Sequence, residues 1–218
     1  MNGVGQTATL TKIGARFPSM AHLFTRPVDV HSALLPAHFV NRDCLLTAGV
    51  ILYDGRGVIL IEPTRAPNGA GVHVFPQEKA KYITDTTFAQ VIRRGLREEL
   101  GLTERDFALY PESISWFENH IPRRRFGGTA KTKTIVYFLA HVKGSAILRP
   151  NPKEVRQVLY ASSCDDYLAA AHGIERSRHH KWVGQTDAMI AAAGAAEMAH
   201  NRWGEFREMA AHGRQNVQ

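Results

Sequence analysis

Arg93-Arg94-Gly95-Leu96-Arg97-Glu98-Glu99-Leu100-Gly101-Leu102 is the stretch that decides the fold. From Thr84 onward the apolar residues Phe88, Val91, Ile92, Leu96 and Leu100 recur at three- and four-residue steps, the period of a helix. Thr84 or Asp85 is the expected N-cap, and Gly101 suits the left-handed residue that closes the far end. At about 100° per residue, Gly95 and Glu99 share the side of Phe88 and Ile92, with Glu98 on its edge. Glu99 is therefore expected to point inward. Negative charge at a helix C-terminus is disfavoured by about 0.3–1 kcal/mol, so two carboxylates there call for a cation. The competing reading is an ordinary solvated pair, with Arg94 and Arg97 near enough to partner it.

The preceding residues add a hairpin. Leu46–Tyr53 and Val58–Glu62 are two β-branched, apolar runs separated by Asp54-Gly55-Arg56-Gly57, a turn signal. Gly71-Val72-His73-Val74-Phe75-Pro76-Gln77-Glu78-Lys79 follows, and then a short loop into the helix. From Leu45 to about Leu168 the chain resembles the Nudix hydrolase family, whose signature reads G-x5-E-x7-R-E-U-x-E-E-x-G-U, with U aliphatic. Arg94, Leu96, Glu98, Glu99, Gly101 and Leu102 match its second half, and Phe75-Pro76 matches the Phe-Pro that opens the family's loop. Three positions depart from it. Gly95 stands where the first glutamate of the helical run belongs, Thr86 stands at the earlier glutamate with Asp85 one place before it, and Gln77-Glu78 replace the loop's glycines.

The resemblance implies an α/β fold, a mixed sheet sandwiched between helices. It also implies Mg²⁺ or Mn²⁺ held by Glu98 and Glu99 against a diphosphate, oxygen ligands being those that hard cations favour. Several branches of the family carry a later carboxylate in an acidic loop before a strand. In Asn151–Ala161 the best match is Glu154, as metal ligand or base, and Glu118 is a second distal candidate. The pattern Lys133-Thr134-x-x-Tyr137-Phe138-Leu139-Ala140 is similar to branches acting on dinucleoside polyphosphates, which makes the rim Arg123, Arg124, Arg125, Lys131 and Lys133, with Arg94 and Lys79, the candidate phosphate binders.

The totals set the bounds. The 218 residues allow one ordinary domain with extensions, divided here as 1–40, 41–170 and 171–218. With 44% hydrophobic and 22% charged residues, and no apolar run near the ~20 residues of a membrane helix, the composition is globular. Cys44 and Cys164 match no metal spacing and are expected to be reduced thiols of a cytoplasmic protein. A net charge of +7 favours anionic partners, nucleotide or RNA. Residues 1–40 lack an acidic residue until Asp29, yet no Arg-rich amphipathic stretch marks a transit peptide, so an extension packed on the domain is expected. Phe107–Trp116 is expected to be a strand, and Asn119–Lys133 an exposed basic loop. Asp165-Asp166 reads as an N-terminal helix cap. The Ala-rich His179–Arg214 reads as two helices packing on the domain or on a second copy in a homodimer.

The leading function is a metal-dependent hydrolase that cuts a phosphoanhydride in a nucleotide-like substrate. The alternative is a non-catalytic module of the same fold that binds nucleotide or RNA through the basic rim. A weaker third is another diphosphate-metal chemistry, such as isoprenoid diphosphate conversion.

Overall fold

The central strand, β1 (Cys44–Tyr53), is apolar on both faces, and residues 46–52 are buried without interruption. A run of that kind fits only where both faces are covered and both edges are paired. The computed structural model describes residues 26–34, 44–54, 57–64, 73–81, 84–121 and 131–161. Around β1 stand β2 (Val58–Pro63), β3 (Gln77–Lys79), β4 (Phe107–Ile121), β5 (Lys131–Val142) and β6 (Val155–Ala161), with one helix, α1 (Phe88–Leu100), among the described residues. The sheet order is β4-β5-β1-β2-β6. β1 runs parallel to β5 and every other pairing is antiparallel, so the fold is α/β with a mixed sheet. The expected helical tail and the boundaries at 40 and 171 lie outside the described residues.

β1 divides its second edge between two partners. Thr47, Ala48 and Gly49 pair with Lys79, Glu78 and Gln77 of β3, and only Leu52 and Tyr53 pair with β2. The Asp-Gly hairpin is therefore present but short. β3 was expected to be loop; three residues are too few to show a period, and only the β1 ladder makes them a strand. Gly49 lies between Gln77 on one side and Tyr137 on the other. A Cβ there would run into the Tyr137 ring, so the glycine is what lets these two side chains meet.

α1 lies on the sheet face that carries Ala48, Val50 and Phe138. Phe88 packs on Phe138 with ring centroids 5.2 Å apart, and Ile92, Leu96 and Leu100 are at most 1% exposed. The N-cap is Thr87, not Thr84 or Asp85: its Oγ1 accepts from the Gln90 amide, while Gln90 Oε1 accepts from the Thr86 amide. Asp85 is used otherwise, as described below. Gly101 closes the helix at φ 68°, donating to the Arg97 carbonyl, and the Leu102 amide donates to that of Leu96.

Strand β4 runs five residues beyond the expected Trp116, and Ile121 pairs with Lys131, so β4 and β5 form a long hairpin. The polar residues 118–120 hide this from a sequence pattern, because cross-strand pairing and not apolar period extends the strand. Among residues 26–34, Val30 is fully buried and its carbonyl accepts from Ala89, while Leu34 donates to Thr86. This segment lies against the start of α1.

Gly95 is buried in the middle of α1, where glycine costs about 1 kcal/mol relative to alanine. A Cβ added there would stand 2.6 Å from the Glu78 Cβ and 3.2 Å from its Cγ. The strand occupies the space. Gly95→Ala is therefore expected to lower stability by about 1–3 kcal/mol despite its helix propensity, seen as a drop in melting temperature.

Candidate functional site

Arg94 fastens α1 to the segments before it. Its Nη1 donates to Glu78 Oε1 at 2.6 Å, its Nη2 to Asp85 Oδ2 at 2.8 Å and to the Lys79 carbonyl at 2.8 Å, and its Nε to Asp85 Oδ1 at 3.4 Å. Glu98 Oε2 stands 3.6 Å from Nη1. The side chain is 12% exposed, and Asp85 also accepts from the Lys81 amide. Burial works against the guanidinium charge, but the bonds to Asp85 and Glu78 outweigh it and raise the pKa. With its donor directions met by protein acceptors, Arg94 positions β3 and the approach to α1; this replaces the substrate contact expected from sequence. Asp85 supplies the acidic partner that Thr86 does not. One place early is near enough, because the contact is to a side chain nine residues on and not to a helix register.

Glu99 points inward, as the period implies. Its Oε2 is buried and has no hydrogen-bond partner among the described residues. Burial, followed by repulsion from Glu78, Glu154 and Glu98, pushes its pKa up to about 8, with Lys133 pulling the other way. Glu98 is 45% exposed and sits on the rim. Glu78, Glu98 and Glu154 thus act on Glu99 at the C-terminal end of a helix, where the backbone dipole adds to the negative potential.

Glu154 is held there by the main chain. The Arg149 amide donates to the Leu100 carbonyl at 2.8 Å and the Asn151 amide to that of Glu99 at 2.9 Å, so this segment caps α1. Glu154 and Val155 then donate back to the Asn151 carbonyl, and the Thr64 amide donates to the Glu154 carbonyl. The Glu154 side chain stays exposed.

On the other side of β3, Lys133 Nζ donates to Gln77 Oε1 at 2.9 Å, and Gln77 Nε2 donates to the Tyr137 hydroxyl at 2.7 Å. Burial raises the Tyr137 pKa, and the bond from Gln77 offsets this only in part. Lys133 is thereby set beside the acidic group. Lys79 is exposed, with its carbonyl on Arg94. Lys131 and Glu118 are placed by backbone register, opposite Ile121 and Thr134 respectively. Arg123, Arg124 and Arg125 lie outside the described residues, as does the tail on which the homodimer expectation rests.

Glu78 is the group that sequence reasoning missed. In the family's pattern its position is a loop glycine, so its arrival beside Gly95 and Glu99 follows from the β3–β1 register alone. The signal available was the coincidence of a gained glutamate and a lost one in the same motif.

The donor set fits a hard divalent cation in kind: carboxylate oxygens, one of them buried and unpartnered. Among the described residues no three such side chains form a ready cage. Mg²⁺ does not require one, since one or two carboxylates plus water and substrate phosphates commonly bind it.

A model of the NUDIX domain family matches residues 45–183. Among solved structures, a C. elegans Ap4A hydrolase in a binary complex is 16% identical, covering 68% of this chain and 96% of that one with a TM-score of 0.45. A MutT NUDIX hydrolase from Burkholderia pseudomallei is 21% identical, covering 56% and 85% with a TM-score of 0.43. No curated protein matches. Likeness this loose says nothing about substrate; the family match rests on the residues of 45–183.

Two outcomes follow for the metal-free chain. Glu99 is raised from 4.5 to about 8, so the folded state holds a proton that the unfolded state gives up, and stability falls as pH rises through that window. The loss is on the order of a few kcal/mol above pH 8. Glu99→Gln should remove it, so that denaturant unfolding at pH 5 and pH 8.5 differs less in the variant than in the natural chain. Arg94→Lys keeps the charge but not the fork, and should cost about 2 kcal/mol or more in the same assay.

Proposed function

We propose a divalent-cation-dependent hydrolysis of a phosphoanhydride for this chain, which belongs to the Nudix family. The observation that carries the proposal is Glu99: an inward carboxylate with a buried, unpartnered oxygen, crowded by three other carboxylates and opposed by a lysine. A fold without use for a cation gains nothing from that arrangement, since burial and the neighbouring carboxylates all disfavour the Glu99 anion.

Glu99 and Glu98 hold Mg²⁺ or Mn²⁺, Glu99 from the wall of the site and Glu98 from its rim. When bound, the cation neutralises the diphosphate and polarises the phosphoryl oxygens under attack. Lys133, held by Gln77, offers its ammonium to a phosphate oxygen, and the exposed Lys79 adds a second positive charge. Glu154 is exposed beside Glu99 and takes the proton of the attacking water, while the bond from phosphorus to the bridging oxygen breaks. The net positive charge of +7 suits a polyphosphorylated, nucleotide-like substrate.

The test is a panel of nucleoside di- and polyphosphates, dinucleotides and capped RNA with Mg²⁺ or Mn²⁺, following released phosphate and nucleotide directly. At least one nucleotide should be cleaved. Glu154→Gln should lower kcat by about 10²–10⁴-fold with little change in KM. Glu99→Gln should bring metal-dependent turnover to background, and a panel without any cleavage would remove the hydrolase reading.

A further inference from the structure

Gly95 and Glu78 make one feature. The helix lacks a carboxylate where the Nudix signature places one, and β3 carries a carboxylate where the signature has glycine. The β3–β1 register sets Glu78 opposite Ala48, on the face over which α1 lies. There the Glu78 Cβ fills the room that a side chain at position 95 would need, at 2.6 Å from the position of an added Cβ. Both residues line a single crevice with Glu99, walled by Ala48, Val50, Ile92 and Leu96. Either position can bear the side chain, but not both.

We infer that Glu78 supplies from β3 the carboxylate that α1 lacks at Gly95, and that it serves as a ligand of the divalent cation together with Glu98 and Glu99. The inference rests on the hydrolase reading for the presence of the cation and adds which of this chain's residues hold it. Arg94 takes Oε1 of Glu78 and fixes the plane of the carboxylate, with Oε2 as the donor to the cation. Glu78 and Glu99 line the same crevice, and the buried Oε2 of Glu99 has no hydrogen-bond partner among the described residues, so a cation held between them would meet an oxygen that the fold leaves unanswered.

The experiment is Mn²⁺ titration calorimetry on the full chain, with melting curves recorded in the absence of metal. Glu78→Gln keeps an oxygen for Arg94 and should leave the melting temperature nearly unchanged while weakening Mn²⁺ binding by about 10- to 100-fold. Gly95→Glu should lower the melting temperature, because Glu78 stands in its way. Glu78→Gly alone should bind Mn²⁺ weakly, and Glu78→Gly combined with Gly95→Glu should recover both affinity and melting temperature relative to the single variants. Glu78→Gln that binds Mn²⁺ as the natural chain does, or a double variant no better than Glu78→Gly, overturns the inference. If Glu99→Gln loses Mn²⁺ while Glu78→Gln keeps it, the hydrolase reading stands without this ligand. A natural chain that takes up no Mn²⁺ overturns both.

Discussion

The Arg94 guanidinium is the point on which the site depends. A planar fork of five donors meets Glu78 on β3, the Lys79 carbonyl next to it and Asp85 just before α1, from a helix position that is 12% exposed. β3 is three residues long and makes only a short ladder with β1. Beyond that ladder the strand is held on one face by the fork, which holds Glu78. On the other face it is held by Gln77, which donates to the Tyr137 hydroxyl and accepts from Lys133.

Against that fixed frame, the acidic end of α1 is held in an unfavourable electrostatic state. Glu99 is half-buried with its Oε2 enclosed, repelled by three carboxylates, and placed where the helix dipole disfavours its charge. The fold keeps it there because Phe88, Ile92 and Leu96 bury the same face, and their apolar burial outweighs the cost of one carboxylate. The Oε2 of Glu99 has no hydrogen-bond partner among the described residues, so it is directed at a ligand and not at the fold. The stabilising contacts at Arg94 and the chemically available oxygen at Glu99 lie about one and a half turns apart on the same helix.

The helix and its inward glutamate were legible because a 3.6-residue period spans thirteen residues and averages out local exceptions. The N-cap was less so: Thr84, Asp85 and Thr87 are all capping types, and the helix starts directly after the last of them. β3 and the far end of β4 could not be read, since neither has a period of its own and both exist by pairing with a neighbour. The role of Glu78 is the plainest case. Nothing within its own segment marks it, and its meaning lies in contact with residues 94 and 95, sixteen and more positions along the chain. A single sequence shows that a glutamate is missing at 95; only the register shows where another has come from.

The cap that residues 149 and 151 place on α1 has a consequence for how this site can evolve. The connection between Glu99 and the segment carrying Glu154 runs through main-chain N–H groups, so most side-chain replacements at Arg149 leave it intact and proline does not. Drift in this segment is thus insulated from the geometry of the helix end. The carboxylate at 154 can be lost, moved or exchanged in descendants while the helix stays anchored, which lets proton transfer be retuned without rebuilding the cation-facing wall.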